Sequence, residues 1–406
     1  MNILVLTNVY PYEKDDNTDI TKVVAYFARK WVQLGHNVMV VVNSTAFPHL
    51  YYVAGKYVKG VILKRNDRIA ELPSELWTKK FDYIDEGIPV INLPIKKMKP
   101  HGAFGDDALK KQQERIVAEL EERGFKPDVI TGHWLNPQLM LVAGLAQYFG
   151  AKSGFIFHSD YMRDRYDQFE VQKYLDQVDN IGFRSRAAMD VAKEYMRFKN
   201  PPFVCSSGIP DDYVEKYAVS GRPAIRDRDY KVICVGRLVG YKNIDVTISA
   251  VSTAFEGTDY SFDIVGVGPL EEQFKTQIKS GKLEQHVHLS GRMPREQLQE
   301  KMRDSDIFVL ISSNEVFGMV YVEAMLQGCI VVAAKFSGVD GIIVDGENGF
   351  LCEAGNEEEL KTVLKKIDSL SSEEKKRVSD AAVQTAMKQT ETNTAKNYLE
   401  AVICEH

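Results

Sequence analysis

The chain has 406 residues, 44% of them hydrophobic and 27% charged, with a formal net charge of −6. This composition excludes collagen-like and disordered classes, the acidic balance leaves no footprint for nucleic acid, and the length suits two domains rather than one core. Cys205, Cys234, Cys329, Cys352 and Cys404 are odd in number and widely spaced, and read as reduced residues of a cytosolic protein.

The chain opens on Met1-Asn2-Ile3-Leu4-Val5-Leu6-Thr7, a strand pattern without a basic n-region or cleavage site. No apolar run approaches bilayer-spanning length. The expected location is cytoplasmic, with peripheral contact at the inner face of the membrane left open. Strands are predicted at 3–6, 38–42, 90–93, 129–130, 154–157 and 180–183, with helices such as 21–34 and 108–123 between them. Strands spaced by helices imply a mostly parallel sheet covered on both faces, which binds ligands at the carboxyl ends of its strands. Residues 48–65 mix aromatic and basic types and read either as an acceptor- or membrane-binding insertion or as an irregular excursion with snorkelling lysines. His133 and His158 close two neighbouring predicted strands, as structural residues or as members of a site.

The polar stretch 218–230 is the expected linker. A second α/β series follows, with strands at 231–235, 261–265, 286–289, 307–311, 330–334 and 349–352. The final amphipathic segment has no strand of the second series left to serve and is expected to cross back. The domains are therefore 1–208 plus a return helix at 388–406, and 209–387.

Between the fourth strand of this series and its helix stands Ser313-Asn314-Glu315-Val316-Phe317-Gly318-Met319-Val320-Tyr321-Val322-Glu323. In one unbroken helix, glutamates eight apart would lie about 12 Å apart along the axis, so Glu315 is placed in the loop and Glu323 on the second helical turn. The free N–H groups at Gly318, Met319 and Val320 suit a phosphate. Carboxylates beside a phosphate repel it unless they hold something else, and their natural partners are hydroxyls. A ligand with both groups is a nucleotide-sugar. The competing reading makes both glutamates surface charges. Gly236, Arg237 and Lys242, after the first strand of the series, supply close backbone approach and two cations for a diphosphate. Gly266-Val267-Gly268-Pro269-Leu270-Glu271 begins like a dinucleotide fingerprint but has Glu271 at the third glycine, which argues against NAD. The triplets Asp304-Ser305-Asp306 and Asp227-Arg228-Asp229 are ill-placed for a metal-bridged diphosphate, and no His/Cys ligand spacing occurs.

With these residues assembled, the chain resembles glycosyltransferase family 4, retaining enzymes of the GT-B fold. Glu315 and Glu323 match its E-x7-E motif, Gly236, Arg237 and Lys242 its G-R…K grip, Gly266-x-Gly268-Pro269-Leu270 its G-x-G-P-L turn, and Asp345-Gly346-x-Asn348-Gly349 its D-G-x-N-G turn. The resemblance implies an α/β architecture of two Rossmann-like domains facing a central cleft. It implies transfer of a hexose from a UDP- or GDP-sugar to an acceptor hydroxyl, in surface polysaccharide or glycoconjugate synthesis, with no metal or other cofactor. The partners implied are the nucleotide-sugar donor and a sugar or lipid-linked acceptor; oligomeric state is not implied. Arg237 and Lys242 would bind the diphosphate, Glu323 the ribose and Glu315 the transferred sugar. Phe317, Gly318, Met319 and Val320 would surround sugar and phosphate, Gly266 and Gly268 would pack on the nucleotide, Met293 would lie near the base and His158 near the anomeric carbon. The family is generally taken to use front-face departure, the leaving phosphate helping to deprotonate the acceptor. Residues 10–20 depart from the pattern, being acidic and free of glycine where the family carries a Gly-Gly pair; Val316 replaces a proline, and Val339-Asp340-Gly341 replaces Ile-Pro-Glu. The alternative readings are a sugar-nucleotide 2-epimerase or phosphorylase of similar shape, and an inactive nucleotide-sugar-binding subunit.

Overall fold

The computed structural model describes residues 1–13, 21–48, 75–97, 103–158, 166–167, 169–218, 225–313, 315 and 317–404. The chain divides into two compact units. Unit 1 comprises Met1–Phe183, Met189–Cys205 and Ala395–His406; unit 2 comprises Arg184–Ala188 and Ser206–Thr394.

Unit 1 is built on an eight-stranded sheet in the order β10-β9-β8-β7-β1-β2-β5-β4. Its strands are β1 (Asn2–Thr7), β2 (Asn37–Val42), β4 (Phe81–Asp85), β5 (Ile88–Asn92), β7 (Val129–His133), β8 (Lys152–Phe157), β9 (Asn180–Phe183) and β10 (Phe203–Val204); the short β3 (Thr45–Ala46) and β6 (Ile95–Lys96) pair separately. The central strands are near-continuous Val/Ile/Leu runs because both faces are covered, as a parallel sheet requires. Ile3, Leu4, Val5, Leu6, Val40 and Val41 are wholly inaccessible. Helices α1 (Val23–Gln33), α2 (Asp106–Glu122) and α3 (Leu135–Phe149) lie between strands. The antiparallel β4 was not anticipated; it turns into β5 through Glu86 and Gly87, both at positive φ, the conformation that tight hairpins need. Tyr83 Oη donates to the carbonyl of Pro11 at 2.8 Å and Tyr10 Oη to Asp85 at 2.9 Å, so β4 anchors the start of the first loop. Residues 14–20 and 49–74, with most of that loop and of the expected insertion, lie outside the described residues.

Unit 2 contains a six-stranded, all-parallel sheet in the order β13-β12-β11-β14-β15-β16. The strands are β11 (Lys231–Val235), β12 (Ser261–Val265), β13 (Val287–Gly291), β14 (Ile307–Leu310), β15 (Ile330–Ala334) and β16 (Phe350–Cys352). The order doubles back between β11 and β14, and such a switch point opens a crevice beyond the carboxyl ends of the two strands. Unit 1 also holds α4 (Val171–Leu175), and α5 (Arg186–Lys193) spans both units; the helices of unit 2 are α6 (Asp211–Tyr217), α7 (Ile244–Ala254), α8 (Glu271–Ser280), α9 (Arg295–Arg303), α10 (Met319–Leu326), α11 (Glu357–Ser369) and α12 (Ser372–Lys388), while α13 (Glu391–Ile403) returns to unit 1 from Ala395 onward.

One expectation is corrected here. The stretch 218–230 is no free linker in its described part: Ile225 and Tyr230 are buried in the core of unit 2, and Arg226 pairs with the buried Asp306 at 2.7 Å. Its polar composition hid two core side chains. Both D-x-D triplets are structural. Asp306 also accepts from the Lys231 backbone at 2.9 Å, and Asp227 holds the hydroxyl of Ser372. Among the described residues no group of three potential ligands could hold a metal ion, and no helix is long and apolar enough to cross a membrane. Cys205, Cys234, Cys329 and Cys352 are buried free thiols and Cys404 is an exposed one.

Candidate functional site

The switch point of unit 2 gathers the residues that follow β11 and β14. After β11 the chain runs through Gly236, Arg237 and a 3-10 turn at Gly240–Lys242 into Asn243, which has φ 52°. Asn243 Nδ2 donates to the carbonyl of Ile311 at 2.7 Å and to Ser313 Oγ at 2.8 Å, while the Ser313 N–H donates to the Tyr241 carbonyl at 2.8 Å. These bonds clasp the loop after β11 to the loop after β14.

The clasp brings Lys242 Nζ into hydrogen-bonding contact with Glu315 Oε2. Both side chains are largely sheltered, 10% and 17% exposed, so the two charges attract through a medium less screened than bulk water. Lys242 thereby offsets the negative charge of the Glu315 carboxylate. The Arg237 side chain is exposed and makes no hydrogen bond or ion pair among the described residues, although its carbonyl accepts from the Val239 N–H at 2.9 Å. Tyr241 and Val267 are exposed apolar groups of the loops after β11 and β12.

Glu315 lies in the loop and Glu323 is the fifth residue of α10, on its second turn. Gly318 caps the helix at φ 75°, ψ 72°. A side chain there would be strained and would meet the Tyr321 ring at 2.5 Å and Glu315 Cγ at 2.9 Å. Only glycine lets the loop turn tightly enough to set Glu315 beside the helix start. Phe317 is buried in the unit 2 core, whereas Met319 and Val320 are partly buried against it.

Glu323 is 2% exposed. Its Oε1 pairs with Arg295 at 3.2 Å and its Oε2 accepts from Gln299 Nε2 at 3.1 Å. Gln299 is oriented in turn by Gln327 at 2.8 Å, and the Arg295 guanidinium lies over the Tyr213 ring at 5.2 Å while donating to its hydroxyl. Burial pushes the Glu323 carboxyl above the usual range; Arg295 and Gln299 pull it back in part. Each oxygen of an ionised carboxylate can accept more than one hydrogen bond, so Glu323 retains capacity for ligand hydroxyls while Arg295 and Gln299 fix its orientation.

Gly266 and Gly268 are explained by the protein itself. A side chain at Gly266 would lie 1.9 Å from the Gly236 carbonyl oxygen, and one at Gly268 2.4 Å from that of Leu238. The loop after β12 therefore lies backbone to backbone on the loop after β11, joined by Gly236 N–H to Val265 O at 3.0 Å and Leu238 N–H to Val267 O at 3.1 Å. The pair builds the wall of the crevice. Met293, past the end of β13, is partly buried against the same core. The Asp345–Gly349 turn closes on itself, with Asn348 Oδ1 accepting from the Val344 N–H at 2.7 Å.

In unit 1, His133 ends β7 and His158 follows β8, and their rings are in contact: His133 Nδ1 lies 2.8 Å from His158 Nε2. Trp134, at φ 64°, stacks on His158 with centroids 4.2 Å apart and 15° between planes. Sequence reasoning missed Trp134, Asn243, Arg295 and Gln299. Only Asn243 carried a signal, as a turn-favouring residue directly after the basic grip; the others depend on tertiary neighbours.

Residues 215–385 match the family described as Glycosyl transferases group 1. An uncharacterised glycosyltransferase of Methanocaldococcus jannaschii is 33% identical over 127 residues, 31% of this chain and 35% of that protein. The amylovoran biosynthesis glycosyltransferase AmsK of Erwinia amylovora is 31% identical over 157 residues, 37% of this chain and 38% of that one. The chain thus spans little more than a third of the length of these curated relatives. Among solved structures, the lipopolysaccharide outer core galactosyltransferase WaaB superposes with a TM-score of 0.66 at 16% identity, covering 99% of both chains. The fold is GT-B, and the matched segment, which contains Arg237, Lys242, Glu315 and Glu323, lies within unit 2.

Proposed function

We propose that this chain is a retaining glycosyltransferase of family 4 type, moving a hexose from a nucleoside-diphosphate sugar, UDP- or GDP-linked, to an acceptor hydroxyl in surface polysaccharide or glycoconjugate synthesis. The observation that carries the proposal is the Lys242–Glu315 contact at the β11/β14 switch point, inside the segment that matches group 1 glycosyltransferases. The AmsK relative, named for amylovoran biosynthesis, supports the polysaccharide setting.

In this reading the diphosphate sits at the start of α10, where the N–H groups of Gly318, Met319 and Val320 meet the charges of Lys242 and Arg237. Negative charge grows on the leaving diphosphate as the glycosidic bond breaks, and preorganised cations and helix dipoles stabilise it without reorganisation. Lys242 is shared between Glu315 and the phosphate, which draws the carboxylate to the hydroxyls of the transferred sugar. Glu323, held by Arg295 and Gln299, receives the ribose hydroxyls. Gly266, Gly268 and Met293 line the nucleoside side, and His158 serves the anomeric centre. The acceptor, a sugar or lipid-linked sugar, is deprotonated with help from the departing phosphate on the same face, so the anomeric configuration is retained. No protein nucleophile and no metal ion is assigned a step.

Thermal stability measured with UDP, GDP and ADP tests the donor site, since a nucleotide at about a hundred times its Kd adds about 2.7 kcal/mol. No shift with any of the three overturns the proposal. Incubation with donor alone separates the other chemistries: an epimerised sugar nucleotide identifies an epimerase, and product with the opposite anomeric configuration in the presence of acceptor excludes retention.

A further inference from the structure

His133 is wholly buried, and Thr131 and Tyr398 are each 1% exposed. Tyr398 belongs to α13, 265 residues further along the chain, yet its hydroxyl lies 3.3 Å from His133 Nε2 and in hydrogen-bonding contact with Thr131 Oγ1. The His133 ring is stacked parallel to Phe27, 17° between planes, and meets Tyr398 edge-on at 88°. On the far side its Nδ1 reaches His158 Nε2 at 2.8 Å. A continuous chain of polar groups thus runs from Thr131 through Tyr398 and His133 to His158.

We propose that His133 and Tyr398 are positioning residues, which through this chain fix the ring orientation and tautomer of His158; the functional consequence rests on the reading that His158 serves sugar transfer. One proton lies between the two imidazoles, so one ring donates and the other accepts. The order of the remaining groups decides which. A phenol is a stronger donor than an aliphatic alcohol, and an imidazole nitrogen is a stronger acceptor than an alcohol oxygen. Tyr398 O–H therefore donates to His133 Nε2, and Thr131 O–H donates to the Tyr398 oxygen. That leaves the His133 proton on Nδ1, from which it donates to His158 Nε2. His158 then carries its own proton on Nδ1. Trp134, stacked 4.2 Å from the His158 ring, prevents the ring from tilting out of this bond. The last helix, beyond covering the sheet of unit 1, supplies the hydroxyl that orders the whole chain.

The test is nitrogen NMR on the full chain with 15N-labelled histidine, His158 being assigned by its loss in His158→Asn. Wild-type His158 is expected as the Nδ1–H tautomer, and Tyr398→Phe, which keeps the packing against Phe27 and Trp31, is expected to shift it toward a mixture. In transfer assays Tyr398→Phe is expected to lower kcat by about tenfold, the scale of one lost hydrogen bond, with donor KM changed by less than about twofold. His133→Asn, whose amide occupies the place of Nδ1, is expected to retain more activity than His133→Leu. An Nε2–H tautomer in the wild type, or His158 signals unchanged in Tyr398→Phe, overturns the proposal. If Tyr398→Phe fails to fold, His133→Leu, which removes the donor to His158 Nε2, is expected to give the same mixture, and His133→Asn to preserve the wild-type tautomer. The tautomer is read without substrate, so absence of transfer by the wild type would refute the enzyme assignment and leave this inference standing.

Discussion

Lys242 and Glu315, 73 residues apart in sequence, meet where the strand order of the unit 2 sheet reverses. Neither could be left alone there. A sheltered Glu315 without Lys242 would repel a diphosphate, and Lys242 without Glu315 would lose the partner that holds its stem across the loop. Removing one member of such a pair costs more than removing both, because an uncompensated charge remains.

A double-mutant cycle follows from this contact. Lys242→Ala is expected to lower kcat/KM for the donor by about 1.5–3 kcal/mol, roughly 10- to 150-fold, as one lost charged hydrogen bond does. Glu315→Gln is expected to lower it too, and the double variant to fall short of the product of the two losses by about 0.5–3 kcal/mol of coupling. Strict additivity would mean that the two side chains act separately.

Arg237 should behave differently, because it is exposed and makes no ion pair among the described residues. Arg237→Ala is expected to leave the melting temperature of the free protein nearly unchanged, within about 0.5 kcal/mol, while removing about 1.5–3 kcal/mol of nucleoside-diphosphate binding. Calorimetric titration with UDP and GDP beside a thermal melt separates the two effects. A destabilised free protein with unaltered nucleotide affinity would assign Arg237 to the scaffold.

Gly318 and Gly268 are needed for different reasons, and the variants should separate them. Gly318→Ala places a side chain at φ 75° against Tyr321 and Glu315, at the site itself. Gly268→Ala drives one into the backbone of Leu238, behind the site. Each is expected to cost about 1–3 kcal/mol of stability, measured by urea unfolding. Gly318→Ala alone is expected also to abolish the nucleotide-induced shift at temperatures where the variant is still folded, since it displaces Glu315 and the first turn of α10.

Much of this architecture is legible in the residues themselves. The parallel strands of both sheets announce themselves as Val/Ile-rich runs between amphipathic helices, and a pair of glutamates at a strand-loop-helix junction is conspicuous in apolar surroundings. What escaped reading depends on neighbours distant in sequence. Nothing local to Arg295 or Gln299 says that α9 will lie beside α10 and hold Glu323. Polar residues around Ile225 and Tyr230 masked a segment packed in the unit 2 core, and β4 escaped because its alternating Phe81-Asp82-Tyr83-Ile84-Asp85 pattern belongs to a half-exposed strand rather than a buried one. The G-x-G sequence suits either packing on a flat ligand or a tight strand-to-helix turn, and its glycines serve the close approach of two backbones.

Glu323 should leave a trace in the pH dependence of stability. Its carboxyl is raised by burial in the folded protein, with Arg295 and Gln299 opposing, and it returns to an ordinary value on unfolding. The folded state therefore holds the proton more tightly than the unfolded one across the interval between the two values. Stability from this group is fully present below the unfolded pKa and is lost as the pH rises through the folded one. Glu323→Gln removes the titration, so the melting temperature of the variant minus that of the wild type is expected to become more positive as the pH is raised from about 4 to 7. Ligand reverses the sense: ribose hydroxyls stabilise the carboxylate, so nucleotide binding to the wild type is expected to strengthen over the same interval, and binding to Glu323→Gln to be weaker and flat. A difference in melting temperature that falls with pH would mean that Arg295 outweighs burial and that Glu323 is held as an ordinary ion pair.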